Sequence, residues 1–117
     1  MFLDSGEVKA SRFNGGKERL TLIDPTFIRG MAQVMMIGAD KYGDTNWLKG
    51  MDAVVILDSL MRHTQKIALG EEIDEESGFH HAYHIGCNAM LLARMMQDPK
   101  YRDHKSVLFE DFNTKEK

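Results

Sequence analysis

Apolar side chains recur at helical spacing in three stretches of this chain, and turn-forming residues separate them. Phe27, Met31, Val34, Met35 and Gly38 follow one another at intervals of one helix face, out to about Tyr42. Asp24-Pro25 stands before them, an N-cap acid followed by a proline suited to the first helical position. The spacing predicts a helix over 25–41. Gly43-Asp44-Thr45-Asn46 is turn chemistry, and Trp47 and Lys49-Gly50 complete a short loop. Val55, Ile56, Leu60, Ile67 and Ala68 predict a second helix from about Asp52 to Leu69, with Gly70 as its C-terminal stop. An acidic loop covers 71–76. Ser77 or Glu76 is expected to cap a third helix from about Gly78 to Gln97. Asp98-Pro99 ends it, because the residue before a proline disfavours helical backbone.

The short connections predict one all-α domain over 1–117, an antiparallel helical bundle. Residues 1–18, broken by Gly15-Gly16, read as a loosely ordered arm. Residues 100–117 read as a charged tail in which Val107-Leu108-Phe109 forms a short docking segment. The Met-rich faces of the first and third helices, with Met35 and Met95 placed on them, exceed what three helices hide alone. Oligomerisation is therefore expected to complete the bundle.

Composition narrows the function classes. At 117 residues the chain has the length of one domain, and 43% hydrophobic with 28% charged content is ordinary for a globular protein. A formal net charge of −3 gives no electrostatic case for nucleic acid as a partner. The lone Cys87 makes no intrachain disulfide and points to a reducing, cytoplasmic setting. No apolar run reaches spanning length and the N-terminus lacks a signal-peptide core, so no membrane partner is expected.

The densest chemistry lies at 71–84. Glu71, Glu72, Asp74, Glu75 and Glu76 crowd into six positions, and His80, His81 and His84 follow. Crowded carboxylates repel one another, and a divalent cation is the usual reason to hold them together. His81, His84 and Asn88 fall within about 60° on one helix face, while His80 points roughly 100° away from His81. The bland alternative is a set of solvated acids near a helix N-terminus, where they favour the dipole. Oxygen ligands favour Mg²⁺ or Mn²⁺ and imidazoles favour Mn²⁺ or Zn²⁺, so the mixture fits a hydrolase using Mg²⁺ or Mn²⁺. On the second helix Asp58, Arg62, Gln65 and Leu69 share a stripe, with His63 one step round. Arg62 pairs with Asp58 or meets an anion such as phosphate. Lys41, Tyr42, Asn46 and Trp47 combine a cation, two aromatics and an amide in one loop. They suit a nucleotide subsite or, more simply, a helix end with Trp47 plugging the core.

Three pieces stand in order: GADKYGDTNWLKG at 38–50, LMRH at 60–63 and GEEIDEESGFHHAYHIGCNAMLL at 70–92. Together they resemble the phage branch of the MazG-like all-α nucleotide pyrophosphohydrolases. In that branch a K-Y-G-x-x-N-W-x-x-G loop, an R-H pair and a G-E-x-x-D-x-E-S-G-x-x-H-x-x-H segment recur. The branch includes the dATP/dGTP diphosphohydrolases called MazZ, from viruses that use diaminopurine in DNA. The resemblance covers roughly 19–92. It implies metal-dependent hydrolysis of a purine deoxynucleoside triphosphate, dGTP or dATP and potentially GTP, to the monophosphate and pyrophosphate. It also implies a homodimer or homotetramer, acting in the cytoplasm of an infected cell. Carried over by position, Glu71, Asp74, Glu76, His81 and His84 hold one or two Mg²⁺ or Mn²⁺ ions, and Glu71 or Glu76 is the general base. Lys41 and Arg62 neutralise phosphate charge, and Tyr42 or Trp47 stacks on the base. Asn46 reads the base edge, with His63 and Asn88 also at the substrate. The wider family's E-E-x-x-E and E-x-x-D ligand strings are absent, and His81-x-x-His84 takes the place of the second. Two rivals remain. An HD-type triphosphohydrolase needs a His-Asp dipeptide, but 103–104 reads Asp-His. A non-enzymatic helical phage interaction protein would leave the acids solvated.

Overall fold

The computed structural model describes residues 9–99. Three α-helices carry the described chain: α1 (Pro25–Tyr42), α2 (Ala53–Ala68) and α3 (His81–Met95). Short 3-10 turns at Leu20–Leu22 and Asn46–Lys49 stand before α1 and α2. The molecule is all-α, as its periodicity predicts. Residues 9–18 carry no helix or strand, and the expected docking segment at 107–109 lies outside the described residues.

The first helix starts as its sequence dictates. The Asp24 carboxylate accepts from the Thr26 backbone N–H at 2.9 Å and from its hydroxyl at 2.7 Å, and Pro25 takes the first helical position. The second helix also matches its expected span to within a residue at each end. The third does not start at Gly78. It begins three residues later, capped by His80, whose Nδ1 accepts from the Ala82 backbone N–H at 2.9 Å. The delay has a physical cause. An antiparallel bridge joins Ile73 to His80, and the Asp74 N–H bonds to the Phe79 carbonyl at 2.8 Å. Backbone that pairs across this loop is unavailable to a helix. Ser77 and Glu76 therefore sit inside a closed loop, and neither caps α3.

Contacts along the helices give their directions. Ser59 meets Asn88 and His63 meets His84, while Ile56 packs with Leu91 and Met95. Rising numbers on α2 face falling numbers on α3, so these two helices run antiparallel. Phe27 stacks edge-on with Tyr83, and the Met31 carbonyl accepts from Cys87 Sγ. Here both series rise together, so α1 runs parallel to α3. The third helix thus packs against both others, as an up-down-up chain requires.

Close approach of α1 to α3 rests on two glycines. A methyl group on Gly30 would sit 2.5 Å from the Tyr83 ring, and one on Gly86 would sit 2.6 Å from Met31 Sδ. The core they allow is small. Ile56, Leu91 and Met95 form its buried cluster, with Met35, Trp47, Met51 and Leu92 packed against it. Met35 and Met95 therefore turn inward, and the outward apolar residues are others: Ile28 and Met36 on α1, Val55 and Met61 on α2, and Met90 on α3. Val55 departs from its expected core position because the packed face of α2 centres on Ala53 and Ile56. Among the described residues no helix is long and apolar enough to cross a membrane.

The glycine contacts make a contrast that thermal unfolding measures. Gly30→Ala should destabilise the fold by about 1–3 kcal/mol through overpacking against Tyr83. Gly38, in the same helix, has open space where its methyl would go. Gly38→Ala should therefore leave stability unchanged or raise it by up to about 1 kcal/mol. Equal melting temperatures for the two variants would contradict this account of the α1–α3 contact.

Candidate metal centre and adjoining cavities

The acidic loop spreads its carboxylates apart. Glu72 and Glu75 face solvent, and Glu72 contributes its backbone carbonyl, which accepts from the His81 N–H at 2.9 Å. Glu71 turns toward α2 and α3, with Oε2 lying 3.5 Å from Lys66 Nζ and 3.3 Å from His81 Nε2. Asp74 turns the opposite way. Its Oδ2 accepts from the Ser77 N–H at 2.9 Å and lies 3.6 Å from His84 Nε2. Gly78, at φ +79°, supports the return of the loop to α3.

Three imidazoles meet beside Asp74. His81 is only 1% exposed, in the first turn of α3. Its Nδ1 lies 2.8 Å from His63 Nδ1 on α2, so one ring donates and the other accepts. The His63 ring stacks on His84 with centroids 4.3 Å apart and planes 10° from parallel. His84 Nε2 in turn lies 2.7 Å from the Ser77 hydroxyl, which accepts from the Phe79 N–H. Ligand atoms of His63, Asp74 and His81 all fall within 4.8 Å of one another.

This donor set fits a divalent cation. Burial favours the neutral, ligating form of His63 and of His84 beside it. Burial pushes His63 below its ordinary value of 6.5, and the neighbouring charges of His84 and His81 push the same way. Burial also lowers His84, partly opposed by Asp74. Burial alone would raise the Asp74 carboxyl, but hydrogen bonds from Ser77 and the charges of His84 and His63 outweigh it and hold it low. Neutral imidazole and ionised carboxylate are the states a metal requires. A second observation agrees: His81 Nε2 is buried without a hydrogen bond, since the approach of Glu71 falls short of one. A buried ring nitrogen in that state is costly unless its ring is held for another purpose. With two imidazoles to one carboxylate, the set is richer in nitrogen than an all-oxygen cation site.

Two concave spaces lie in sequence beside this cluster, and only the larger is lined by its residues. The larger, about 740 Å³, has His63, Asp74, Glu76, Ser77, His84 and Asn88 on one side and Lys41 and Tyr42 on another. The smaller, about 340 Å³, is walled by apolar side chains with Trp47, Asn46 and Tyr42 at the loop end. Both share Val34, Met35, Gly38, Tyr42 and Leu91, so they are neighbouring compartments. Both volumes lie in the range of small-molecule sites. Asn88 donates to Ser59 Oγ at 3.2 Å and to the His84 carbonyl at 2.9 Å, which braces its amide between α2 and α3.

The structure thus brings Asp74, His81 and His84 of the expected ligands together. Glu71 stands behind His81 and outside the group of three ligand-type side chains, and Glu76 lines the larger cavity. His63, expected at the substrate, stands among the ligand-type side chains. Its register opposite His81 depends on the antiparallel crossing, for which sequence spacing offers no signal. Lys41, Tyr42, Asn46 and Trp47 line the cavities. Arg62 lies on the exposed face of α2 with Asp58 and Gln65 and lines neither cavity, although its charge helps to lower His63. Ser77, read from sequence only as a cap, instead tethers both Asp74 and His84.

A family model for the N-terminal region of dATP/dGTP diphosphohydrolases matches residues 7–105. The chain is 34% identical over 94 residues to a dATP/dGTP diphosphohydrolase of Salmonella phage PMBT28. That match covers 80% of this chain and 32% of the relative, so the chain spans about a third of the length of the protein it resembles. No solved structure matches.

The lowered imidazoles set a pH dependence for the metal-free protein. Unfolded histidine titrates near 6.5, above folded His63 and His84, so the unfolded state binds more protons just below that pH. The contribution of these rings to stability is complete above about pH 6.5 and is lost as pH falls through their folded values. The melting temperature should therefore drop between pH 7 and pH 5, less steeply in a His63→Ala/His84→Ala variant. A flat profile in the unmutated protein would rule out the neutral pair. At Cys87 burial raises the thiol to about 11, so alkylation at pH 8 should run roughly 100-fold slower in the native than in the unfolded protein.

Proposed function

This chain belongs to the dATP/dGTP diphosphohydrolase N-terminal family, and from that premise we propose that it takes part in hydrolysing dGTP or dATP to the monophosphate and pyrophosphate. The observation that carries this reading is the pairing of compartments. A polar space beside a carboxylate–imidazole cluster adjoins an apolar space with an aromatic and an amide at its rim. A nucleotide has the same division, a polyanion joined to a flat apolar base.

Each residue then has a role that follows from its place. His63, Asp74 and His81 would hold a divalent cation, with His84 next to them. Such an ion supplies Lewis-acid polarisation of phosphoryl oxygens and lowers the pKa of water. Glu71 stands 3.3 Å from the far nitrogen of His81, where it would orient a ligating ring once that gap closes to a hydrogen bond. Glu76 lines the cavity and would accept a proton from water attacking the α-phosphorus. Lys41 brings positive charge to the opposite wall, where it offsets charge building on departing pyrophosphate. Asn88, braced by Ser59, offers its amide to the phosphate side. Trp47 packs against the core cluster, so its ring forms a rigid stacking wall for the base, with Tyr42 and Asn46 at the opening.

The exposed apolar residues Ile28, Met36, Val55 and Met61 support a homodimer or homotetramer. The product would serve the nucleotide pool, with dGMP feeding synthesis of modified-base DNA.

Product analysis tests the reading. The protein, given each of the four dNTPs, GTP and ATP with Mn²⁺ or Mg²⁺, should release monophosphate and pyrophosphate, fastest from a purine. Glu76→Gln should lower kcat by about 10²–10⁴-fold with the helical signal intact. Asp74→Asn and His63→Ala should weaken Mn²⁺ binding in calorimetry. Release of triphosphate would favour an HD-type reaction instead. No turnover under either metal would favour a non-enzymatic interaction protein.

A further inference from the structure

The smaller cavity is apolar on nearly every side, and one charged residue lines it: Asp44. Among the described residues no hydrogen bond or ion pair holds its carboxylate, and it caps nothing, since the following 3-10 turn has Thr45 at its N-cap. The backbone around it is fixed. The Gly43 N–H bonds to the Ala39 carbonyl at 2.8 Å, and the Asn46 N–H bonds back to the Gly43 carbonyl at 3.2 Å. Gly43 holds φ +96°, which a side chain rarely tolerates. Trp47, three residues on, is seated on the Ile56–Leu91–Met95 cluster. A carboxylate with no structural duty thus stands at a set place on the rim of an apolar compartment, near a stacking ring.

We propose that Asp44 is a specificity-determining residue that selects guanine over adenine in this cavity. The inference rests on the reading that a nucleotide base occupies the compartment, and it deepens that reading by naming the base. Guanine presents two donors side by side, its ring N1–H and its 2-amino group. A carboxylate presents two acceptors at matching separation and has no donor, so it takes both. Adenine shows a bare N1 acceptor beside its 6-amino group, which sets lone pair against lone pair. Cytosine shows the same conflict at N3, and thymine flanks its single N–H with carbonyl oxygens. Asn46 cannot make this distinction, because an amide both donates and accepts and can turn to suit either purine. Asp44 is exposed at the rim, so a wrong base there loses two charge-assisted hydrogen bonds and meets lone-pair repulsion instead.

The test compares kcat/KM for dGTP, dATP and dITP, which lacks the 2-amino group, in the full chain and in Asp44→Asn. Calorimetric binding of dGMP and dAMP to both proteins gives a readout that needs no turnover. Unmutated protein should prefer dGTP to dATP, with dITP between them. Asp44→Asn should lower kcat/KM for dGTP about 10- to 100-fold and weaken dGMP binding in proportion, with a much smaller change for adenine. Equal losses for guanine and adenine, or an original preference for dATP, would overturn the assignment while leaving the hydrolase intact. Absence of pyrophosphate from every nucleotide would instead remove the hydrolase reading. In that case selective loss of dGMP binding in Asp44→Asn would still uphold guanine recognition, and unchanged binding would end it.

Discussion

Burial of His81 is the constraint on which the rest of the site depends. An imidazole 1% exposed in the first turn of a helix must answer for two polar nitrogens and a backbone N–H. Its N–H reaches the Glu72 carbonyl, its Nδ1 meets His63, and its Nε2 faces Glu71. Those three contacts tie together the acidic loop, α2 and α3. They leave little freedom in where α3 starts, because His80 must cap it and His81 must turn inward at once. They also set the register of α2, since the His63 hydrogen bond reaches His81 while its ring stacks on His84. A polar cluster of this kind is costly when incomplete, so it specifies one arrangement more sharply than a greasy contact would.

The rest of the fold supports that register with modest means. The buried cluster is three residues, Ile56, Leu91 and Met95, and it lies toward the opposite end of α2 and α3 from the histidines. Between these two anchors the helices are held by Asn88 and Ser59, and α1 closes in through the glycine contacts with Tyr83 and Met31. Where α1 passes Gly38 it has no side chain to fill the space, and the two cavities share that stretch. Small residues thus serve opposite ends on one helix. Gly30 permits contact, whereas Gly38 preserves room.

Electrostatics explains why five neighbouring acids do not behave as one group. Carboxylates brought together without a cation repel, and the loop relieves this by directing them apart. Glu71 meets Lys66 and His81, Asp74 meets Ser77 and His84, Glu76 lines the larger cavity, and Glu72 and Glu75 go to water. What remains within the histidine cluster is the Asp74 carboxylate, with Glu71 behind His81 and with His63 and His84 favoured as neutral rings by burial. That converts an oxygen-rich sequence into a nitrogen-rich cluster.

Local features are legible in the order of residues, because they depend on neighbours in the chain. Asp24-Pro25 and Gly70 bracket helices through capping and backbone preference, and the apolar period marks α1 and α2 nearly to the residue. The K-Y-G and G-E segments carried the family resemblance, because a motif is itself a local pattern. The start of α3 was missed, because pairing of Ile73 with His80 competes with helix over 78–80 and helical spacing does not reveal a bridge. Helix packing settles which acids face the histidines, that His63 stands among them, and that Arg62 lies outside both cavities. It also decided that Met35 and Met95 turn inward while Met36 does not. Each of these depends on which face of one helix meets which face of another. That crossing is set by the sum of Gly30 against Tyr83, Ile56 against Leu91 and His63 against His81, contacts between residues far apart in the chain, which the order of residues along it does not display.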